Sequence, residues 1–150
     1  MNNDETIDTL NDLVENCKDG EYGFRSCAEH VKDAGLKQTL NRYADECRAG
    51  ASELQSLVVG LGGKADDSGT VGGAMHRGWV SVKGTLVGHS NVSMLEEAER
   101  GEDVALDRYR DALKKDLPAN VRAVVERQYE GTKRNHDEVR RLRDQARAAS

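Results

Sequence analysis

The sequence predicts an all-α protein built as a four-helix bundle, and three observations lead there. The chain has 150 residues, which suits one core, so residues 1–150 are read as a single domain. It carries one proline and only 4% aromatic residues, fewer than the turns and faces of a sheet protein usually need. Four stretches place apolar residues at alternating three- and four-residue steps, the spacing of helices that pack on helices.

The first helix is expected from about Asp4 to Asp33, with a seam of Ile7, Leu10, Val14, Cys17, Phe24, Ala28 and Val31. Between Cys17 and Phe24 the seam lands on Glu21, so a carboxylate is expected in a core slot. A break at Asp33-Ala34-Gly35 follows, with the glycine suited to ending the helix. The second helix is expected from about Leu36 to Leu61, on Leu40, Tyr43, Cys47, Gly50, Leu54 and Leu57, with Glu46 and Glu53 on one flank.

Gly60 to Gly73 is rich in glycine, aspartate and serine and reads as one long connection. A connection of that length can cross a bundle end to end, so a long crossover between helices 2 and 3 is expected. A third helix is expected from near Val71, through Met75, Trp79, Val82 and Leu86, with a kink or break near Gly88. It resumes with Leu95, Ala98, Ala105, Tyr109 and Ala112, and Glu102 fills another apolar slot. Pro118 suits the first turn of the fourth helix, expected to about Ala146. That seam is apolar at both ends (Val121 and Val125, then Val139 and Leu142) and polar between, at Gln128, Thr132 and Asn135 beside His136.

Net charge is −5, with acids and bases interleaved, so no basic stripe invites nucleic acid or an anionic membrane surface. The acidic start is followed by no apolar stretch, so neither a signal peptide nor a spanning segment is expected, and a cytoplasmic location is. Cys17, Cys27 and Cys47 are odd in number and form no CxxC, so reduced thiols in a core are expected. No nucleophile motif or phosphate loop occurs, and the sequence identifies no small-molecule substrate.

Folding each hairpin brings its polar groups to similar heights, while the long connection leaves the heights of the two hairpins relative to each other open. Glu21 falls roughly opposite Cys47 and close to Glu46, Glu102 opposite Thr132, and Glu99 opposite His136. Burying an unpaired carboxylate is costly, so such a cluster needs arginines, hydrogen bonds or metal. Carboxylates and imidazole inside a bundle are also a ligand set for iron or manganese. Candidate metal ligands are therefore Glu21, Glu53, Glu99, Glu102 and His136, against a salt-bridge network with Arg25, Arg48, Arg77 or Arg100. His76 is read as a capping or packing residue and Trp79 as a core or interface anchor. Gly20, Gly23, Gly50, Gly101 and Gly131 interrupt the helices near the acids, each at about 1 kcal/mol relative to alanine. Close helix approach or room for a bound group would compensate.

Several segments carry a resemblance. They are Asn11-Asp12-Leu13, Asp19-Gly20-Glu21, Gly23-Phe24-Arg25, Glu53-Leu54, His76-Arg77-Gly78-Trp79, Glu99-Arg100-Gly101-Glu102-Asp103, Gln128-Tyr129 and His136-Asp137. In this order the chain resembles the ferritin-like superfamily, and more narrowly a bacterial ferritin-like four-helix-bundle family without an assigned activity. The wider group uses a Glu on the first and third helices, positions that Glu21 and Glu102 match. It also uses Glu-x-x-His on the second and fourth, and here that pattern fails. Three residues after Glu46 comes Ala49, three after Glu53 comes Ser56, and Lys133 stands where His136 would need its Glu. The resemblance thus implies a ferritin-like fold and leaves two functions open. One is a non-enzymatic bundle, in a stress setting for example, acting by self-association as a homo-oligomer or by partner binding. The other is an iron- or manganese-binding protein with oxidase or iron-handling activity.

Overall fold

In a computed structural model of the chain, residues 2–66 and 90–149 are described. They form four helices: α1 (Asn3–His30), α2 (Ala34–Gly60), α3 (Asn91–Leu113) and α4 (Ala119–Ala149). No strand occurs among the described residues, and no helix among them is long and apolar enough to cross a membrane.

Local chemistry sets the helix starts. Asn2 Oδ1 accepts from the Glu5 amide at 2.8 Å, Asp33 Oδ1 from Leu36 at 2.9 Å, and Ser90 Oγ from Ser93 at 3.0 Å. The α1–α2 break is therefore made by an aspartate cap. Gly35 lies inside the first turn of α2 and does not end α1, which stops at His30. Pro118 stands just before α4, and its carbonyl accepts from the Arg122 amide at 2.8 Å.

Two apolar clusters hold the bundle. Phe24, Ala28, Leu40, Tyr43, Leu95 and Val139 belong to the first, where the Phe24 and Tyr43 rings meet edge-on at 5.4 Å. Leu10, Val14, Leu54, Val58, Tyr109, Val121 and Val125 belong to the second. One end of the bundle thus gathers the C-terminal halves of α1 and α4 with the N-terminal halves of α2 and α3. The Lys32 amide donates to Asn91 Oδ1 at 3.0 Å there, joining the exit of α1 to the entry of α3. Hence α2 runs parallel to α3, and the connection between them joins opposite ends of the bundle, as its length implied. Trp79, His76 and the expected break at Gly88 lie outside the described residues.

Candidate functional site: a polar mid-bundle cavity

Between the two apolar clusters lies a cavity of about 590 Å³ to which all four helices contribute. Its floor is buried: Cys17 and Phe24 of α1, Glu102 and Tyr109 of α3. Its mouth lies between α2 and α4, where Glu46, Ala49, Arg127 and Arg134 are exposed. Gly20, Gly50, Gly101 and Gly131 all line it, so the glycines in the helices do supply room. Gly20 also supplies close approach, since a Cβ there would stand 2.9 Å from Cys47 Sγ.

The expected site residues separate into distinct environments. Glu102 occupies its apolar slot and is only 3% exposed, and its Oε1 has no hydrogen-bond partner among the described residues. Burial pushes its pKa well above the usual carboxylate value, and the charges of Asp103, Glu46, Glu99 and Glu138 push the same way. Glu21 does not occupy the core slot expected for it. From Cys17 the seam steps to Gly20 and then Phe24, and Glu21 turns outward, 3.8 Å from Arg25 Nη2. Arg25 in turn reaches Asp45 at 2.5 Å.

Glu53 stands at the mouth, held by Arg127 and by Gln128 Nε2 at 2.9 Å. Burial pushes its pKa up, but the hydrogen bonds from Gln128 and Arg127 and the charge of Arg127 outweigh that and hold it below the usual value. Glu99 is bound by Arg143 and, at 3.3 Å, by Arg140 Nε, with His136 Nε2 at 3.9 Å. His136 is buried, and its Nε2 lies 2.6 Å from Asp103 Oδ1 without hydrogen-bond alignment. Neither Glu99 nor His136 lines the cavity.

Sequence reasoning passed over several contributors. Arg127, Arg140 and Arg143 are the cations that engage the candidate acids on α2 and α3, and Arg100 instead pairs with the buried Glu97. Gln128 links three helices: Oε1 accepts from Tyr109 at 2.9 Å, while Nε2 donates to Glu53 and, at 3.2 Å, to the Gly50 carbonyl. Its polar place in an apolar seam was the one available signal. Cys17 Sγ lies 3.5 Å from the Tyr109 hydroxyl, and Asn135 donates to Glu46 at 2.6 Å. All three cysteines are free thiols.

The donor set does not fit a two-metal carboxylate centre. Glu21, Glu53 and Glu99 are each engaged by arginine, and among the described residues no group of three His, Cys, Asp or Glu side chains could hold a metal ion. Of these four candidate acids, Glu102 is the one that keeps a buried oxygen without a hydrogen-bond partner among the described residues.

The fold defines a ferritin-like four-helix bundle. Three solved structures share it: a dodecameric thioferritin, the bacterioferritin-related protein of Bacteroides fragilis, and Dps1 (as a variant) and Dps of Mycobacterium smegmatis. The thioferritin is 16% identical with a TM-score of 0.82, over 99% of this chain and 90% of that one. The Dps1 variant is 14% identical with a TM-score of 0.80, over 94% and 96%. Dps is 16% identical with a TM-score of 0.79, over 93% and 87%. By sequence, the chain belongs to the family described as "Domain of unknown function (DUF2383)", whose model matches residues 5–115. That stretch contains Glu21, Glu53, Glu99 and Glu102, while α4, with Gln128 and His136, follows it. No curated protein matches the chain in sequence.

Proposed function

We propose that this protein is a non-enzymatic ferritin-like bundle that acts by association, with copies of itself or with a partner. The observation that carries this reading is the commitment of Glu21, Glu53 and Glu99 to arginines. Two of these pairs run between helices, Arg127–Glu53 tying α4 to α2 and Arg143–Glu99 tying α4 to α3, while Arg25–Glu21 lies within α1. The dodecameric state of the thioferritin of similar fold supports self-association for this chain.

The competing reading is iron or manganese handling, favoured by one observation, the unpartnered oxygen of Glu102. One experiment separates the two. The purified protein is loaded anaerobically with Fe(II) or Mn(II), desalted and subjected to elemental analysis, and its mass is measured by light scattering. The association reading expects an assembly larger than one chain, or a co-purifying partner, and no stoichiometric metal. Stoichiometric metal that disappears in Glu102→Ala would overturn it in favour of metal handling.

A further inference from the structure

Two unfavourable features coincide at mid-bundle. A cavity replaces packed side chains, and a carboxylate on its floor lacks a partner for Oε1. A small structural defect would carry one of these. Their coincidence, in a space open to solvent at one side, is the signature of a receptor site.

The surroundings of Glu102 define what would fill it. Acids crowd its field from several elements: Asp103 and Glu99 on α3, Glu46 on α2 and Glu138 on α4. Three of the nearby cations are engaged, Arg127 with Glu53, and Arg140 and Arg143 with Glu99, while Arg134 stands exposed at the mouth, away from the floor. The floor therefore favours positive charge. Beside polar Asn16, Thr132 and Asn135, the cavity lining offers apolar or bare surface: the Phe24 and Tyr109 rings, Ala105 and the helix glycines. The volume lies within the range of about 300–1,000 Å³ that houses small molecules.

We propose that the mid-bundle cavity binds a small organic cation, an amine or amidine on a compact apolar body, with its charged group on the Glu102 carboxylate. Where Glu102 holds its proton before binding, the cation replaces it and the proton leaves to solvent. An amidine then meets the carboxylate through two parallel N–H···O bonds, and a primary ammonium through one or two. The apolar body covers Phe24 and Tyr109, and entry is between α2 and α4. The site does not depend on the association reading, because every residue it uses lies within one chain.

The test uses the full-length protein with benzamidinium and phenethylammonium as probes and neutral benzamide as the isosteric control. Binding is read by calorimetry and by ligand-observed NMR. At least one of the two cations is expected to bind at least tenfold more tightly than benzamide, and Glu102→Gln is expected to remove that preference. Gly131→Leu provides a second arm. A Cβ there meets only Arg134 Nη2, at 3.6 Å, so the larger side chain can enter the cavity without displacing a helix. It is expected to abolish binding while the helical circular dichroism is retained. Absence of binding by both cations at millimolar concentration, equal affinity for benzamide, or full cation binding by Glu102→Gln would each overturn the proposal.

Discussion

Tyr109 and Gln128 are joined by a hydrogen bond of 2.9 Å inside the bundle, and this bond sets the orientation of the Gln128 amide. With Oε1 accepting from Tyr109, the NH₂ group must face Glu53 and the Gly50 carbonyl. Three helices are thereby tied through one side chain. Gln128→Leu would leave the buried Tyr109 hydroxyl without its short partner, with the Cys17 thiol at 3.5 Å remaining, and would remove a donor from Glu53. It is expected to cost about 1–3 kcal/mol, whereas Tyr109→Phe, which leaves an adaptable amide behind, is expected to cost about 1 kcal/mol. Urea denaturation of both single variants and the double variant checks this. Additive losses would show that the bond carries no coupling.

Glu102 makes stability depend on pH. Burial and the surrounding acids raise its folded pKa above the ordinary value of 4.5. The folded protein therefore holds this proton more tightly than the unfolded chain does. The stability contributed by the protonated form is complete below 4.5 and is lost as pH rises through the folded pKa. Glu102→Gln, which keeps the shape without the charge, is expected to be less sensitive to pH across that window. It should also be more stable than the parent at the upper end. Denaturation midpoints measured from acidic to mildly alkaline pH test this, and parallel curves for the two proteins would refute it.

Two glycines near the end of α2 predict opposite outcomes for the same substitution. A Cβ on Gly63 would stand 2.7–3.0 Å from the side-chain carbons of Ile7, whereas nothing lies within 4 Å of one on Gly60. Gly63→Ala is expected to destabilise by about 1–3 kcal/mol through overpacking. Gly60→Ala is expected to stabilise by up to about 1 kcal/mol through helix propensity. Thermal unfolding of the two variants side by side provides its own control.

The thiols should be sluggish in the folded state. Burial pushes Cys17 up to about 11, against a smaller opposing effect of its Tyr109 hydrogen bond, and pushes Cys27 up to about 12. Burial, together with the charges of Cys17 and Glu102, also raises Cys47. Because the thiolate is the nucleophile, disulfide reagents are expected to react roughly 100-fold more slowly with Cys17 in native protein than in urea-unfolded protein. The kinetics of thionitrobenzoate release measure this directly.

The bundle was legible in the sequence because Leu10, Val14, Leu40, Leu54, Leu95, Val121 and Val139 keep helical spacing and are all fully buried. Glu102 was legible for the same reason, as an acid standing in a slot where an apolar residue was due. Glu21 was misplaced because the residue that occupies the seam there is Gly20, which carries no hydropathy signal. The cap of α2 was hidden for a related reason. A glycine after an aspartate suggests a helix end, and only the hydrogen bond from the Leu36 amide to Asp33 shows a beginning. Arg25 was legible as a partner and lies against Glu21, but the arginines of α4 were not. Arg127 reaches Glu53 and Arg143 reaches Glu99 between helices, through long side chains that no periodicity records. Their placement holds Glu53 at the mouth of the cavity that Glu102 floors and keeps Glu99 and His136 out of it.

The division of the apolar core into two clusters, with the cavity between them, gives the molecule a waist. Each helix is anchored on both sides of that waist, and at its level the cavity interrupts the apolar core. Such a bundle can breathe at mid-height while both lobes remain shut. Amide exchange should then be slowest at two separate stretches of each helix and faster at the level of Gly20, Gly50, Gly101 and Gly131. A guest could reach the interior through this local loosening, without any global opening of the fold.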